Sequence, residues 1–253
     1  MIVIFVKNEW RYFLTALMFF TRIPVRISHY QEADLNYSSR YFPLIGIIVG
    51  GVAGMVCWGA DKVLPLEISV LLSMVTTILL TGGFHEDGLA DAADGLGGGY
   101  EREQVLTIMT DSRIGSYGTI ALVMALLLKY QALSYISVSI LPITMVVGHA
   151  LSRYAAVLVM FTQSYVKATG KSKPIATQLS IGGLVFASVF GLAPLAFLGF
   201  KYLLALLPML FVWLWFSAKI KSRIGGYTGD CLGAMQQIME ITFYLGILAC
   251  NSF

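Results

Sequence analysis

The sequence predicts an all-α, polytopic integral membrane protein, a helical bundle of about seven transmembrane helices with an N-terminal interfacial helix. Three observations point there. Of 253 residues, 57% are hydrophobic and 12% charged, where a soluble domain carries about 25% charged residues. The mean hydropathy is +0.77. Runs such as "YFPLIGIIVGGVAGMVCWGA" and "LLALLPMLFVWLWF" approach the roughly 20 apolar residues that cross a bilayer core. Lipid supplies no backbone hydrogen-bond partners, so such runs must be helices.

The first element is the apolar but short stretch 8–24, "NEWRYFLTALMFFTRIP", read as an interfacial helix or a partial insertion. Its leading residues, "MIVIFVKNEWRYF", are too early broken by charge for a signal peptide. The spanning helices are expected near 42–60, 64–82, 117–133, 139–162, 179–199, 202–218 and 233–250. Residues 1–253 read as one domain without internal repeats.

Basic residues set the orientation, because cytoplasmic segments next to membrane helices are enriched in Lys and Arg. Lys7, Arg11, Arg22, Arg26 and Arg40 put the N-terminal region inside. Alternation then brings loops 83–116, 163–178 and 219–232 to the same side, with Lys167, Lys171, Lys173, Lys219, Lys221 and Arg223. That side would be the cytoplasmic face of an inner membrane, and every unusual polar motif gathers on it. A net charge of +3 is too small to imply nucleic-acid binding. Cys57, Cys231 and Cys250 lack metal or disulfide spacing and read as small buried hydrophobes.

The chief anomaly is "GGFHEDGLADAADGLGGG" at 82–99, which places Glu86, Asp87, Asp91 and Asp94 within nine residues. Asp87, Asp91 and Asp94 stand at i, i+4 and i+7, one face of a helix. Like charges so spaced repel, and more strongly beside a low-dielectric membrane, unless a cation neutralises them. Oxygen-only ligands select a hard ion, Mg²⁺ or Mn²⁺, held by a few carboxylates plus water and phosphate. In "DSRIGSYG" at 111–118, Asp111 could complete the site while Arg113, next to Ser112, grips a phosphate oxygen. The alternative is a solvated loop with helix-capping aspartates, which has little need for carboxylates interleaved with Gly and Ala.

"GGYTGDCLGA" at 225–234 reads as a Gly-rich turn opening into the last helix. Its amides suit phosphate, and Asp230 is either the N-cap or a further metal or hydroxyl contact. Ionisable groups inside the spans cost about 2.5–3.5 kcal/mol and usually face the bundle interior. Arg153, with Ser152 and His149, is expected to face the site. Lys129 and Glu67 are expected to snorkel, and Glu240 with Gln236 and Gln237 to bond helices together or to serve the site.

These parts suit phosphoryl transfer to or from an amphipathic, pyrophosphate-linked substrate. Two other classes compete. CDP-alcohol phosphotransferases share the metal logic, but their aspartate spacing is absent. A divalent-cation transporter would place acids near the bilayer midplane on several helices.

"TRIP" at 21–24, "FPLIG" at 42–46, "GGFHEDGLADAADG" at 82–95, "DSRIGSYG" at 111–118, "SR" at 152–153 and "GGYTGDCLGA" at 225–234 resemble, in order, the motifs of the cobalamin synthase (adenosylcobinamide-GDP ribazoletransferase) family. The resemblance implies a Mg²⁺-dependent membrane transferase that joins adenosylcobinamide-GDP to α-ribazole or its 5′-phosphate and releases GMP. It implies Asp87, Asp91 and Asp94 as metal ligands, with Asp111 and Asp230 as additions. Arg113, Arg153 and Arg22 would hold the diphosphate, aided by Ser112, Thr228 and Gly229. His85 or an aspartate would accept the hydroxyl proton, with Glu86 ranked below the aspartates. The bilayer is an obligatory surrounding; homo-oligomers, or association with other cobalamin-assembly enzymes, are compatible with the reading.

Overall fold

The computed structural model describes residues 2–27, 30–31, 33–166 and 179–251. Eleven α-helices appear among them: α1 (Ile2–Phe20), α2 (Ala33–Ser38), α3 (Phe42–Ala60), α4 (Leu66–Thr81), α5 (Phe84–Gly98), α6 (Arg102–Met109), α7 (Ser116–Tyr135), α8 (Leu141–Thr162), α9 (Ile181–Leu192), α10 (Leu206–Ile224) and α11 (Gly229–Asn251). The described residues form no strand beyond one isolated bridge between Tyr165 and Tyr227. Lys167, Lys171 and Lys173 of the 163–178 loop lie outside the described residues.

All seven expected apolar segments are helical, and the protein is a polytopic membrane bundle. Against about seven expected, five helices among the described residues are long and apolar enough to cross, in Ala33–Ala60, Ser116–Tyr135, Leu141–Thr162, Phe200–Ile224 and Gly229–Asn251, or up to six with the bent pair α4 and α5. The 179–199 segment becomes the shorter Ile181–Phe197, because Pro194 ends the α-helix and a 3₁₀ turn follows at Ala193–Phe197. α1 carries Lys7, Glu9 and Arg11 and is not among the spans. Arg40 Nη2 meets Glu9 at 2.6 Å, and Arg11 Nη2 donates to Asp34 at 3.0 Å, so these basic residues pin α1 onto α2 and the start of α3.

The tightest helix pair is α3 on α8, and small residues are the cause. Gly46, Gly50 and Gly54 repeat every fourth residue along one face of α3. A Cβ at Gly50 would come within 2.7 Å of the Met145 carbonyl, and one at Gly54 within 3.0 Å of the Pro142 carbonyl. Such a stripe lets backbones approach where lipid provides no hydrophobic drive. α11 packs against α8, α5, α7 and α10 and is the axis of the bundle.

The acidic helix α5 does not continue α4. Gly82 and Gly83 both adopt left-handed conformations, with φ of 70° and 69°, and the chain turns by 86° between the two helices. Residues with a Cβ pay a steric penalty at such angles, so the paired glycines decide the bend. α5 therefore runs across the bundle rather than along its spans, packed on α11, α7 and α6.

Candidate active site

α5 presents two chemically different sides. Asp87 is exposed and Asp91 half-buried, while Glu86 is buried on the inner side. α11 crosses close by: a Cβ on Gly88 would stand 3.1 Å from the Asp230 carbonyl and 3.2 Å from the Gly233 Cα. This crossing brings Asp230 beside Asp87 and Asp91. Burial first, then the carboxylates of Asp87, Asp230 and Asp94, push Asp91 up from the ordinary range to about 7. Among the described residues, no Lys or Arg forms an ion pair with Asp87, Asp91 or Asp230.

Asp94 shares the face of Asp87 and Asp91 but not their surroundings. Its Oδ2 accepts from Gly115 N at 2.7 Å and its Oδ1 from Gly118 N at 2.8 Å. The carboxylate thus satisfies free amides at the N-terminus of α7, where negative charge is favoured. A Cβ at Gly115 or Gly118 would collide with that carboxylate, which explains both glycines of "DSRIGSYG". Asp111 and Arg113 pair with each other in the preceding turn, Nη2 to Oδ2 at 2.7 Å, and the Arg113 side chain is 87% exposed. The Arg113 hydrogen bonds hold Asp111 at about 2. Ser112 is exposed beside them.

The turn before α11 is also explained locally. Gly225, at φ 82°, ends α10. A Cβ at Gly226 would collide with the Ser164 carbonyl. Thr228, buried, caps α11 by accepting from Cys231 N at 3.3 Å, so Asp230 lies in the first helical turn and is not the cap. Gly229 opens the helix and lines a cavity with His85 and Arg153.

Arg22 shares a pocket of about 500 Å³ with Asp87, Gly82, Gly83 and Phe84. It is the sequence-predicted arginine that stands beside one of the crowded aspartates. Arg153 is 2% exposed and lies deeper. Its Nη1 donates to the His149 carbonyl at 3.1 Å, while its Nε and Nη2 have no hydrogen-bond partner among the described residues. Burial first, then the Arg153 charge, push the His85 imidazole well below its ordinary range.

Beneath α5 lies a polar network inside the bundle. Glu240 on α11 is fully buried and meets Lys129 Nζ of α7 at 2.6 Å and His149 Nδ1 of α8 at 3.2 Å. Tyr244 donates to it at 3.1 Å and Gln236 at 2.6 Å. Gln236 in turn donates to Ser152 at 3.1 Å, and Gln237 donates to Glu86 at 3.0 Å. Lys129 therefore does not snorkel: it is 4% exposed and ion-paired, because Glu240 offers it a charge inside the bundle. Glu67, in contrast, is exposed in the first turn of α4. The inward role of Glu86 had a signal in the sequence. Its helical neighbours at i+3, i+4 and i+7 are Leu89, Ala90 and Ala93, an apolar face.

The carboxylate set fits a hard divalent cation in its donor chemistry and in its uncompensated charge. Among the described residues no three His, Cys, Asp or Glu converge tightly enough to hold an ion alone. A hard ion such as Mg²⁺ would need water and substrate phosphate to complete its shell beside one or two of these carboxylates. Asp87, Asp91 and Asp230 are the residues left open for it, whereas Asp94 and Asp111 already have strong donors.

Comparison with known proteins agrees over nearly the whole chain. A relative from Ralstonia pickettii (strain 12J), described as adenosylcobinamide-GDP ribazoletransferase, is 47% identical over 252 residues, covering 97% of this chain and 98% of the relative. One of the same description from Shewanella amazonensis (strain ATCC BAA-1098 / SB2B) is 48% identical over 250 residues, covering 96% of each. No solved structure matches the chain. The family model described as cobalamin-5-phosphate synthase matches residues 12–248, and the chain belongs to that family of membrane transferases.

Proposed function

We propose that this protein is an adenosylcobinamide-GDP ribazoletransferase of the inner membrane, with its active site and N-terminus on the cytoplasmic side. The observation that carries the reading is the half-buried Asp91 set among Asp87 and Asp230, with no ion pair to a Lys or Arg among the described residues. A protein keeps such repulsion where a ligand removes it. The sidedness is supported by α10, whose last turn carries Lys221 and Arg223, and Arg223 donates to the Gly99 carbonyl at the end of α5.

In the reaction, the 3′-hydroxyl of α-ribazole, or of its 5′-phosphate, attacks the phosphorus attached to the cobinamide arm. A new P–O bond forms, the bond to the bridging oxygen breaks, and GMP leaves. Asp87, Asp91 and Asp230 would hold Mg²⁺, which supplies charge neutralisation to the diphosphate. Arg22, across the open pocket from Asp87, is placed to bind diphosphate oxygens. His85, neutral at pH 7, and Asp87 are the candidate acceptors of the hydroxyl proton.

The test is GMP release by the protein in nanodiscs, supplied with adenosylcobinamide-GDP and α-ribazole across a Mg²⁺ series. Asp91→Asn should lower turnover by about 10²-fold or more while leaving the folded protein intact. Near-normal turnover of the variant at ordinary Mg²⁺ would remove Asp91 from the site.

A further inference from the structure

α7 and α10 both pack on α11 and leave a lateral cleft of about 690 Å³ between them, with α5 and α11 at its base. Small residues keep it open: Ala92, Ala93 and Gly97 on α5, Ala121 and Ala125 on α7, and Ala234 on α11. A Cβ at Gly97 would stand 2.7 Å from the Tyr117 ring, so this glycine lets Tyr117 lie over the base of the cleft. The rim is large and apolar, and its Ile120, Met124, Trp215 and Leu245 are exposed.

The dimensions select the kind of occupant. Along α7 the cleft runs from Tyr117 to Leu128, and along α11 from Ala234 to Leu245. At about 1.5 Å per residue that is about 16 Å, half of the roughly 30 Å hydrocarbon core and so the depth of one leaflet. The volume spread over that length leaves a mean section of about 40 Å², well below that of an α-helix about 10–12 Å across. An extended chain of methylenes fits such a slot, and a helix of a second copy does not.

Charge is confined to one end. Among the described residues Lys219 is the one charged side chain lining the cleft, and no Asp or Glu lines it. Its ammonium stands 5.4 Å from the centre of the Trp215 ring and forms no ion pair among the described residues. It lies near the end of α10 that also carries Lys221 and Arg223. A lysine beside a tryptophan, with an apolar slot one leaflet deep below them, complements a phosphate that carries an acyl chain.

We propose that this cleft binds one acyl chain of an anionic phospholipid, with the headgroup phosphate at Lys219. The lipid belongs to the leaflet on the Lys221 and Arg223 side of the membrane. Ala92 and Ala93 follow Asp91 directly in the chain, so the bound acyl chain packs against the back of the acidic helix.

The test is a lipid count that needs no turnover, so its failure leaves the ribazoletransferase reading intact. The full chain is taken from nanodiscs of phosphatidylcholine containing a minor fraction of phosphatidylglycerol, and its retained lipid is weighed by native mass spectrometry. Wild type should keep one phosphatidylglycerol, preferred over phosphatidylcholine by about fivefold. Lys219→Gln should still keep one lipid but lose the preference, and Ala121→Phe, which fills the slot, should keep none. Should Ala121→Phe fail to fold, phosphatidylglycerol brominated on its acyl chain reads the same site through Trp215 fluorescence, with Trp215→Phe as the reference. Quenching of Trp215 should then exceed that by the same fraction of brominated phosphatidylcholine in wild type and equal it in Lys219→Gln. No headgroup preference in wild type, a preference unchanged in Lys219→Gln, or a lipid retained by folded Ala121→Phe would overturn the proposal. A wild-type dimer that Ala121→Phe dissociates would also overturn it, giving the cleft to a second copy.

Discussion

On the inner side of α5, Glu86 accepts from Gln237, and one helix layer deeper Glu240 is surrounded by Lys129, His149, Gln236 and Tyr244. On the outer side, Asp87, Asp91 and Asp230 crowd together, and among the described residues none of them forms an ion pair with a Lys or Arg, although Arg22 lines the pocket of Asp87. The deeper charge would be the costlier one to leave alone, and it is the one the protein compensates. The shallower group is left unbalanced where solvent and substrate can reach. Compensation by the chain marks architecture; charge left uncompensated marks the place reserved for a ligand.

The comparison breaks most severely if Glu240 is removed. Glu240→Leu leaves Lys129 buried without its counter-ion, and thermal unfolding in detergent should show a loss of about 3–5 kcal/mol. Adding Lys129→Met should restore most of it. A single variant as stable as the parent would show that Lys129 finds water or another partner, and the network would lose its architectural role.

Asp94 tests the boundary between the two kinds of carboxylate, since it belongs to the motif of Asp91 yet bonds like a structural group. Asp94→Ala should cost about 1.5–3 kcal/mol, the range for hydrogen bonds to a charged group. Hydrogen exchange at the Gly115 and Gly118 amides should accelerate with it. Unchanged protection there would return Asp94 to the pool of free metal ligands.

The smallest effect is graded rather than absolute. Asp91, raised to about 7, holds a proton below that pH, and a cation must displace it. Apparent Mg²⁺ affinity should therefore fall by up to about tenfold per pH unit below 7 and level off above it. In the metal-free protein the raised group contributes stability that is present below about pH 4 and lost as pH climbs through 7. An apparent Mg²⁺ affinity independent of pH between 5.5 and 8, checked against about one tenfold step per unit, would detach the ion from Asp91.

The shared face of Asp87, Asp91 and Asp94 was legible from local rules, because helical periodicity acts within a few residues; the bend at Gly82–Gly83 was not read from the sequence, where 64–82 is a span running into a loop. The class of fold was legible for the same reason. The span at 179–199 was not: hydropathy averages over a window, and Pro194 breaks the helix within it. Asp94 and Asp91 look alike in sequence, and what separates them is a pair of amides more than twenty positions away. Thr228, rather than Asp230, caps α11, a choice of register that spacing alone leaves open.

By itself, then, the chain's order of residues established a membrane bundle and one face of aspartates on the acidic segment, both consequences of short-range repeat. Which carboxylates keep their charge free was settled only by α7, α8 and α11 arriving from elsewhere. Electrostatic balance in a low-dielectric interior depends on distance in space, and no local pattern records which distant cation or amide will come close.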